Sequence, residues 1–338
     1  MNKEKILVTG GTGYIGSHVL ISLYKNGYEP VIIDNLTNSK ISVLDKIQKI
    51  CNFDPIFYKG DIRDEDFLIS IFKQHKINAV MHFAGLKSVS ESILEPNKYY
   101  ENNVVGTKIL LKVMLSFSCN YLIFSSSATV YGYPNALPIN ENHELSALNP
   151  YGENKIEIES ICKEITNINT NFSCIALRYF NPIGCHPSGF IGEEPNGAPN
   201  NIMPIICDVA LGAQQELIIF GDDYDTNDGT CIRDYIHVED LAEGHVAALK
   251  YAKNNSVFLP INLGTGFGNS VKDLILKFER ISQKKINYIV GNRREGDAPE
   301  LYGDSTLASK LFLWTPKYKI DDMIKHTWNW KKNSQNKK

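Results

Sequence analysis

Three serines, a tyrosine and a lysine stand where they could move a proton. The stretch FSSSATVYG, residues 124–132, ends an apolar run in Ser125, Ser126 and Ser127, with Tyr131 shortly after. Farther on, NPYGENK places Tyr151 four residues before Lys155. On a helix that spacing puts both side chains on one face, and Pro150 just ahead suits a first helical turn. An ammonium beside a phenol favours the phenolate, lowering a pKa that starts near ~10. A tyrosine tuned this way is a general base at neutral pH. The chain has 17 tyrosines, so such a pair also arises on an ordinary exposed helix. Its meaning rests on its surroundings.

Those surroundings are alternating elements. Short apolar runs at Ile6–Thr9, Val31–Asp34, Ile56–Tyr58, Ala79–Phe83, Tyr121–Ser126 and Cys174–Tyr179 read as strands. Helical patterns fall between them, near 14–26, 40–50, 64–75, 97–117 and 150–166. Strands apolar on both faces, separated by helices, predict an α/β fold with a doubly wound parallel sheet of Rossmann type. Past Phe180 glycine and proline thicken, marking a second, loop-rich α/β region. The expected division is a dinucleotide-binding domain over 1–180 and a smaller substrate domain over 181–338, some segments of which return to the first.

Within the first strand-turn-helix, ILVTGGTGYIGSHVL carries Gly10, Gly13 and Gly16, with Tyr14 and Ile15 at the start of the helix. Glycines there allow a tight turn and let helix N-terminal N–H groups approach a pyrophosphate. Asp34, followed by Asn35, ends the next strand, where a carboxylate accepts bonds from adenosine ribose hydroxyls. Its charge repels a 2′-phosphate and so favours NAD over NADP, with Lys40 nearby as the one feature against. Asp61 and Ile62 in GDI, and Phe83 and Ala84 in HFAG, end the following strands, where the crevice would present them to the cofactor. His82 reads as a packed core histidine. No G-x-x-x-x-G-K-[ST] motif occurs, which excludes a P-loop nucleotide-triphosphatase.

Composition narrows the class. The 338 residues are 43% hydrophobic and 22% charged, with net charge -3, as in an ordinary soluble protein without a nucleic-acid footprint. The basic cluster from Lys331-Lys332 to Lys337-Lys338 reads as a frayed, solvated tail. Seven dispersed cysteines without a CxxC read as reduced thiols of a cytoplasmic protein. The start runs directly into a strand, leaving no room for a signal peptide, and no apolar run reaches the ~18 residues a bilayer needs. No metal site is expected. DYDTNDGTCIRD, residues 223–234, resembles a calcium loop, but Asp228 stands where the turn needs glycine, so it reads as an ordinary loop.

Together the glycine motif, Asp34, SSSATVYG, Tyr151 with Lys155, and RYFN resemble the extended short-chain dehydrogenase/reductase family. FAGLKSVSES, NPIGCHPSGFIGEEPNGAPNN, IFGDDYDTNDGTCIRDYIHVEDLAEGH, NLGTGFGNSV and RREGD resemble its UDP-glucose 4-epimerases, over nearly the whole chain. The resemblance implies that Tyr151 is the base, that Lys155 tunes it and holds the nicotinamide ribose, and that Ser127 bonds the sugar 4′-oxygen. Ser125 and Ser126 are then strand-end backbone partners, and Tyr131 is structural. Lys87, Asn102, Tyr179 and Phe180 match nicotinamide-side contacts. Asn181, Asn201, Phe220, Arg233, Arg294 and Asp297 match UDP-sugar contacts. Two arginines suit a diphosphate, an acid suits ribose hydroxyls, and amides suit sugar oxygens.

The implied reaction interconverts UDP-glucose and UDP-galactose. Tyr151 takes the 4′-OH proton while hydride passes from C4′ to NAD⁺, and the tethered 4-keto sugar turns over and is reduced on its other face. NAD would be a tightly held prosthetic group and the protein a homodimer, with a UDP-sugar as its small-molecule partner. At Leu301 the family can carry a large tyrosine over the sugar 2′ substituent. Leucine predicts a roomier pocket that also admits UDP-GlcNAc and UDP-GalNAc, unless Tyr302 swings in. Rivals are a sugar-nucleotide dehydratase, a UDP-uronate epimerase and a non-catalytic NAD-binding regulator. The first needs a carboxylate just after the catalytic serine or threonine, where this chain has Ala128 and Thr129. The second needs carboxylate recognition that the sequence does not display. The third has no reason to keep Ser127, Tyr151 and Lys155 together.

Overall fold

The computed structural model describes residues 3–335 apart from Ala198 and Glu295. The Met1-Asn2 start, Glu295 of the RREGD motif and the Lys337-Lys338 end of the basic tail lie outside the described residues.

The first-half apolar runs form strands β1 (Lys5–Thr9), β2 (Glu29–Asp34), β3 (Ile56–Lys59), β4 (Ile77–His82), β5 (Tyr121–Ser125) and β6 (Ser173–Tyr179). The second half adds β7 (Asn181–Ile183), β8 (Leu217–Phe220), β9 (Ile232–His237), β10 (Phe258–Leu263), β11 (Gly268–Ser270), β12 (Tyr288–Gly291) and β13 (Glu300–Leu301). The central sheet has seven strands in the order β10-β6-β5-β4-β1-β2-β3, and every pairing in it is parallel. One strand of this sheet, β10, comes from the second half. So does the helix Val238–Ala252, whose Leu241, Val246 and Leu249 pack in one core cluster with Val19, Leu20 and Leu23 of the helix Tyr14–Lys25. The opposite face is covered by the helices Glu65–Gln74, Gly106–Ser116 and Pro150–Ile168.

Strand order reverses between β1 and β4, so the chain leaves the C-terminal ends of these neighbours in opposite directions. That switch opens a crevice at the strand ends. The second half builds its own core around Met203, Ile206, Leu274, Phe278 and Trp328. Its small sheets, β7, β9, β11 and β13 together and β8 with β12, form the other wall.

Two local readings change. The expected single helix over 97–117 is three pieces, Pro96–Tyr99, a π-helical turn at Tyr100–Val105 and Gly106–Ser116. Such wide turns are frequent at functional sites. Here the turn puts Asn102 on the cleft and lets the Asn103 amide bond both the N–H and the carbonyl of Leu86. The basic tail is not frayed at its start: the helix Ile320–Gln335 buries Trp328 and Trp330, and Lys331 pairs with Asp208 at 2.7 Å. Loop 223–234 is organised internally, with the Asp228 carboxylate accepting from Thr230 N–H and Oγ1 and from Ser270. Among the described residues no helix is long and apolar enough to cross a membrane, and no group of three His, Cys, Asp or Glu could hold a metal ion.

Candidate active site

A single cleft of about 880 Å³ runs along the strand ends between the two halves. Every residue expected at the cofactor or the sugar borders it, from Gly10, Gly13 and Gly16 at one end to Arg294, Asp297 and Leu301 at the other.

At the dinucleotide end the backbone does the shaping. Gly10 has φ +69°, and a Cβ there would stand 2.7 Å from the Ala84 nitrogen. A Cβ on Gly16 would lie 2.4 Å from the Gly10 carbonyl. The helix Tyr14–Lys25 starts at Gly13 with no side-chain cap, leaving its first N–H groups for an anion. Asp34 is buried and accepts from Thr12 N–H, Leu36 N–H and the Ser39 hydroxyl at 3.1, 2.9 and 3.1 Å. Asn35 donates to Asp61, which Arg63 above all holds down at about 2. A glycine turn, an uncapped helix start and an acid at the tip of β2 fit a dinucleotide.

Ser127, Tyr151 and Lys155 sit deeper. Asn149 caps the helix Pro150–Ile168, its side chain accepting from Gly152 N–H at 2.9 Å, so Tyr151 and Lys155 face β5 from the first turns. Lys155 Nζ donates to the Ser125 carbonyl at 2.7 Å, 5.5 Å from the Tyr151 ring centre. The Ser127 hydroxyl accepts from Thr129 Oγ1 at 2.9 Å, and its interaction with the Tyr151 phenol favours the phenolate. Burial pushes Tyr151 up to about 12 against that one interaction, and burial lowers Lys155 to about 8 despite the nearby Glu159 charge. Helical spacing alone predicts that the Lys155 ammonium lowers the tyrosine. In the protein alone desolvation wins, because the lysine points at a carbonyl instead of the phenol oxygen.

Ser125 and Ser126 also do more than end a strand. The Ser125 hydroxyl pairs with that of Tyr179, and Ser126 donates to Glu159 at 2.5 Å. Glu159 lies one turn beyond Lys155 and forms a buried two-point pair with Arg178, whose Nη1 donates to Tyr131 at 3.1 Å. Tyr131 OH passes the chain on to Asn262 at 2.7 Å. His82 is buried between Thr9 and Thr107, lowered to about 3 by burial and then by the Lys155 charge, as suits a neutral core histidine.

At the far end Asp297 is taken up by both arginines, by Arg294 at 2.8 Å and by Arg233 at 3.4 Å. The Arg294 guanidinium lies 5.5 Å from the Phe220 ring centre. Sequence reasoning missed Glu193, which accepts from Lys87 at 3.0 Å and from Asn201 at 2.6 Å and so joins the two sets of residues. It also missed Thr129, the partner of Ser127. Glu193 lies inside the stretch NPIGCHPSGFIGEEPNGAPNN, but nothing in the local sequence ties it to Lys87, 106 positions earlier.

The doubly wound sheet, with serine, tyrosine and lysine at its mouth, defines an extended short-chain dehydrogenase/reductase. A family model described as GDP-mannose 4,6 dehydratase matches residues 7–327. The UDP-glucose 4-epimerase of Yersinia enterocolitica is 48% identical over 98% of both chains, and that of Bacillus subtilis is 46% identical over the same share of each. The crystal structure of UDP-glucose 4-epimerase from Bifidobacterium longum in complex with NAD⁺ and UDP superposes with a TM-score of 0.96 at 42% identity, covering 98% of this chain and 99% of that one. The chain belongs to the UDP-glucose 4-epimerase family.

Proposed function

We infer that this protein is an NAD-dependent 4-epimerase interconverting UDP-glucose and UDP-galactose through a 4-keto sugar. The observation that carries the reading is one cleft holding Ser127, Tyr151 and Lys155 between a dinucleotide cradle and an arginine pair. Gly13, Tyr14, Ile15 and Asp34 would hold the pyrophosphate and ribose of NAD, with Lys87, Asn102 and Tyr179 toward the nicotinamide. Bound there, NAD supplies a reversible hydride acceptor for the sugar C4′ and a positive charge beside the phenol. Tyr151 takes the proton of the 4′-hydroxyl and returns it, Ser127 orients that oxygen, and Lys155 keeps an ammonium at the floor of the site. Arg233 and Arg294 hold the diphosphate and Phe220 the base, so binding energy comes from parts that never react. A dehydratase reading lacks its acid: Ala128 is buried and the Thr129 hydroxyl is engaged with Ser127. The test is incubation with UDP-galactose and chromatography of the product. Formation of UDP-glucose supports the reading, and a dehydrated product or none overturns it.

Substrate range is the finer question. Leu301 borders the cleft beside Arg233, packed against the cluster of Ala128, Val130, Tyr131, Ile139 and Phe180, while the Tyr302 ring lies against Gly268. A tyrosine held there does not close the gap, which favours acceptance of N-acetylated UDP-sugars as well. Homodimer formation is supported by exposed Ile93 and Leu94 beside the helices that pack on Pro150–Ile168. Light scattering after gel filtration decides it. Seven free cysteines fit a reducing, cytoplasmic setting.

A further inference from the structure

Beyond Ser127, Tyr151 and Lys155, a separate set of contacts spans the cleft beside the tip of β2. The loop that follows Ile191 crosses from the second half to the tip of β2. There the Glu194 carboxylate accepts from Lys40 at 2.7 Å through one oxygen and from Lys46 at 3.0 Å through the other. Two residues on, the Asn196 amide lies 3.2 to 3.4 Å from the carbonyl oxygens of Ser39, Thr37 and Leu36. The tied segment is the one that shapes the adenosine end. Leu36 holds a left-handed backbone at φ +62°, and Ser39 bonds both Asp34 and Thr12. Glu194, Lys40 and Lys46 all border the cleft beside Asp34.

We propose that Glu194 retains NAD and refuses NADP. This rests on the reading of the cleft as an NAD site. For adenosine to leave, the segment 36–40 must part from the opposing loop, and Glu194 with Asn196 ties the two together. Each tie is half exposed and weak alone, as surface ion pairs are, so retention comes from their sum. The refusal has a separate cause. A 2′-phosphate brings close to two negative charges, and lysines at the ribose are the natural groups to receive it. Two are present, but one carboxylate engages both, and that carboxylate itself faces the incoming phosphate together with Asp34. Lys40, which from sequence alone argued for NADP, is thereby cancelled by a residue about 150 positions away.

The experiment uses purified holoenzyme of the wild type, Glu194→Gln, Asn196→Ala and the double variant Lys40→Ala/Lys46→Ala. NAD release is followed after dilution into an enzymatic trap for free NAD. Exchange is read by incubating with equal NAD and NADP and quantifying the dinucleotides freed on denaturation. Glu194→Gln should release NAD roughly tenfold faster and shift the bound NADP:NAD ratio up by roughly tenfold, a factor of ten being ~1.4 kcal/mol. Asn196→Ala and the double lysine variant should release faster with no rise in that ratio. Release from Glu194→Gln at the wild-type rate overturns the retention role. An unchanged ratio in Glu194→Gln, or an equal rise in Asn196→Ala, overturns the charge argument. Wild type that binds neither dinucleotide overturns the cofactor reading itself.

Discussion

The two ends of the cleft are made differently. Where Ser127, Tyr151 and Lys155 meet, the side chains come from a strand end and the start of a 19-residue helix, and Lys155 is only 6% exposed. Behind them runs a continuous buried chain from Ser126 through Glu159 and Arg178 to Tyr131 and Asn262. Where Phe220, Arg294 and Asp297 meet, the supports are a two-stranded sheet and a loop, and Phe220 is 45% exposed. The groups at that end hold mostly each other. Chemistry that depends on fractions of an ångström is set in the part of the molecule that cannot shift. On the proposed reading the reacting atoms lie in the tightly held part and the nucleotide handle in the looser one.

The sharpest way to test this contrast is to remove one oxygen from the rigid end. Tyr151→Phe should lower kcat by about 10²- to 10⁴-fold, the usual worth of a positioned acid-base group. Bound NAD, measured in the denatured supernatant, and the melting temperature should stay near wild type. Near-normal turnover would remove Tyr151 from the chemistry.

Next comes acid. Burial holds His18 and His82 at about 3, His186 and His245 at about 4 and His237 at about 2, all below the ordinary 6.5. A histidine whose folded pKa lies below its unfolded one costs stability as pH falls from 6.5, at ~1.4 kcal/mol per pH unit for each group. Glu239, raised by burial to about 7, works the other way between 7 and 4.5. The histidines outnumber it, so stability should drop by several kcal/mol between pH 7.5 and 5. Urea unfolding followed by circular dichroism measures this, and equal midpoints at the two pH values would contradict it.

The soft end should respond more mildly. Arg294→Ala should raise KM for the UDP-sugar about 10- to 100-fold with a smaller change in kcat, since charge-assisted hydrogen bonds are worth ~1.5–3 kcal/mol. A large fall in kcat at unchanged KM would mean this end is as rigid as the other. Smallest of all, Leu301→Tyr should cut kcat/KM for the N-acetylated sugar about tenfold relative to UDP-glucose, because overpacking costs ~1–3 kcal/mol. Side-by-side steady-state kinetics would show it, and equal loss on both sugars would acquit the position.

The same contrast governs what the sequence revealed. Six strands and the glycine turn were legible because each is a local pattern: an apolar run, a turn, a helix start. Tyr151 and Lys155 were legible as a pair because helical spacing alone puts them on one face. The buried chain through Glu159 and Arg178 was not, since its members lie on a helix and a strand and meet only after folding. The tyrosine's titration was misjudged for a related reason: spacing says which face Lys155 shares but not that its ammonium turns to the Ser125 carbonyl. Glu193 and Glu194 stayed hidden because their lysine partners lie more than 100 positions earlier.

The seventh strand also sets a schedule for synthesis. β10 follows β6 by some 80 residues of chain and yet lies beside it in the sheet. At ~5–20 residues per second a ribosome needs roughly 4 to 16 seconds to make that interval. Throughout it β6 has emerged with the N–H and C=O groups of one edge unpaired, an invitation to pair with another nascent chain. The helix Val238–Ala252 arrives only just ahead of β10, so both the cover and the edge come late. A ribosome stalled shortly after Phe180 would therefore leave a sticky fragment, not a small working NAD-binding protein.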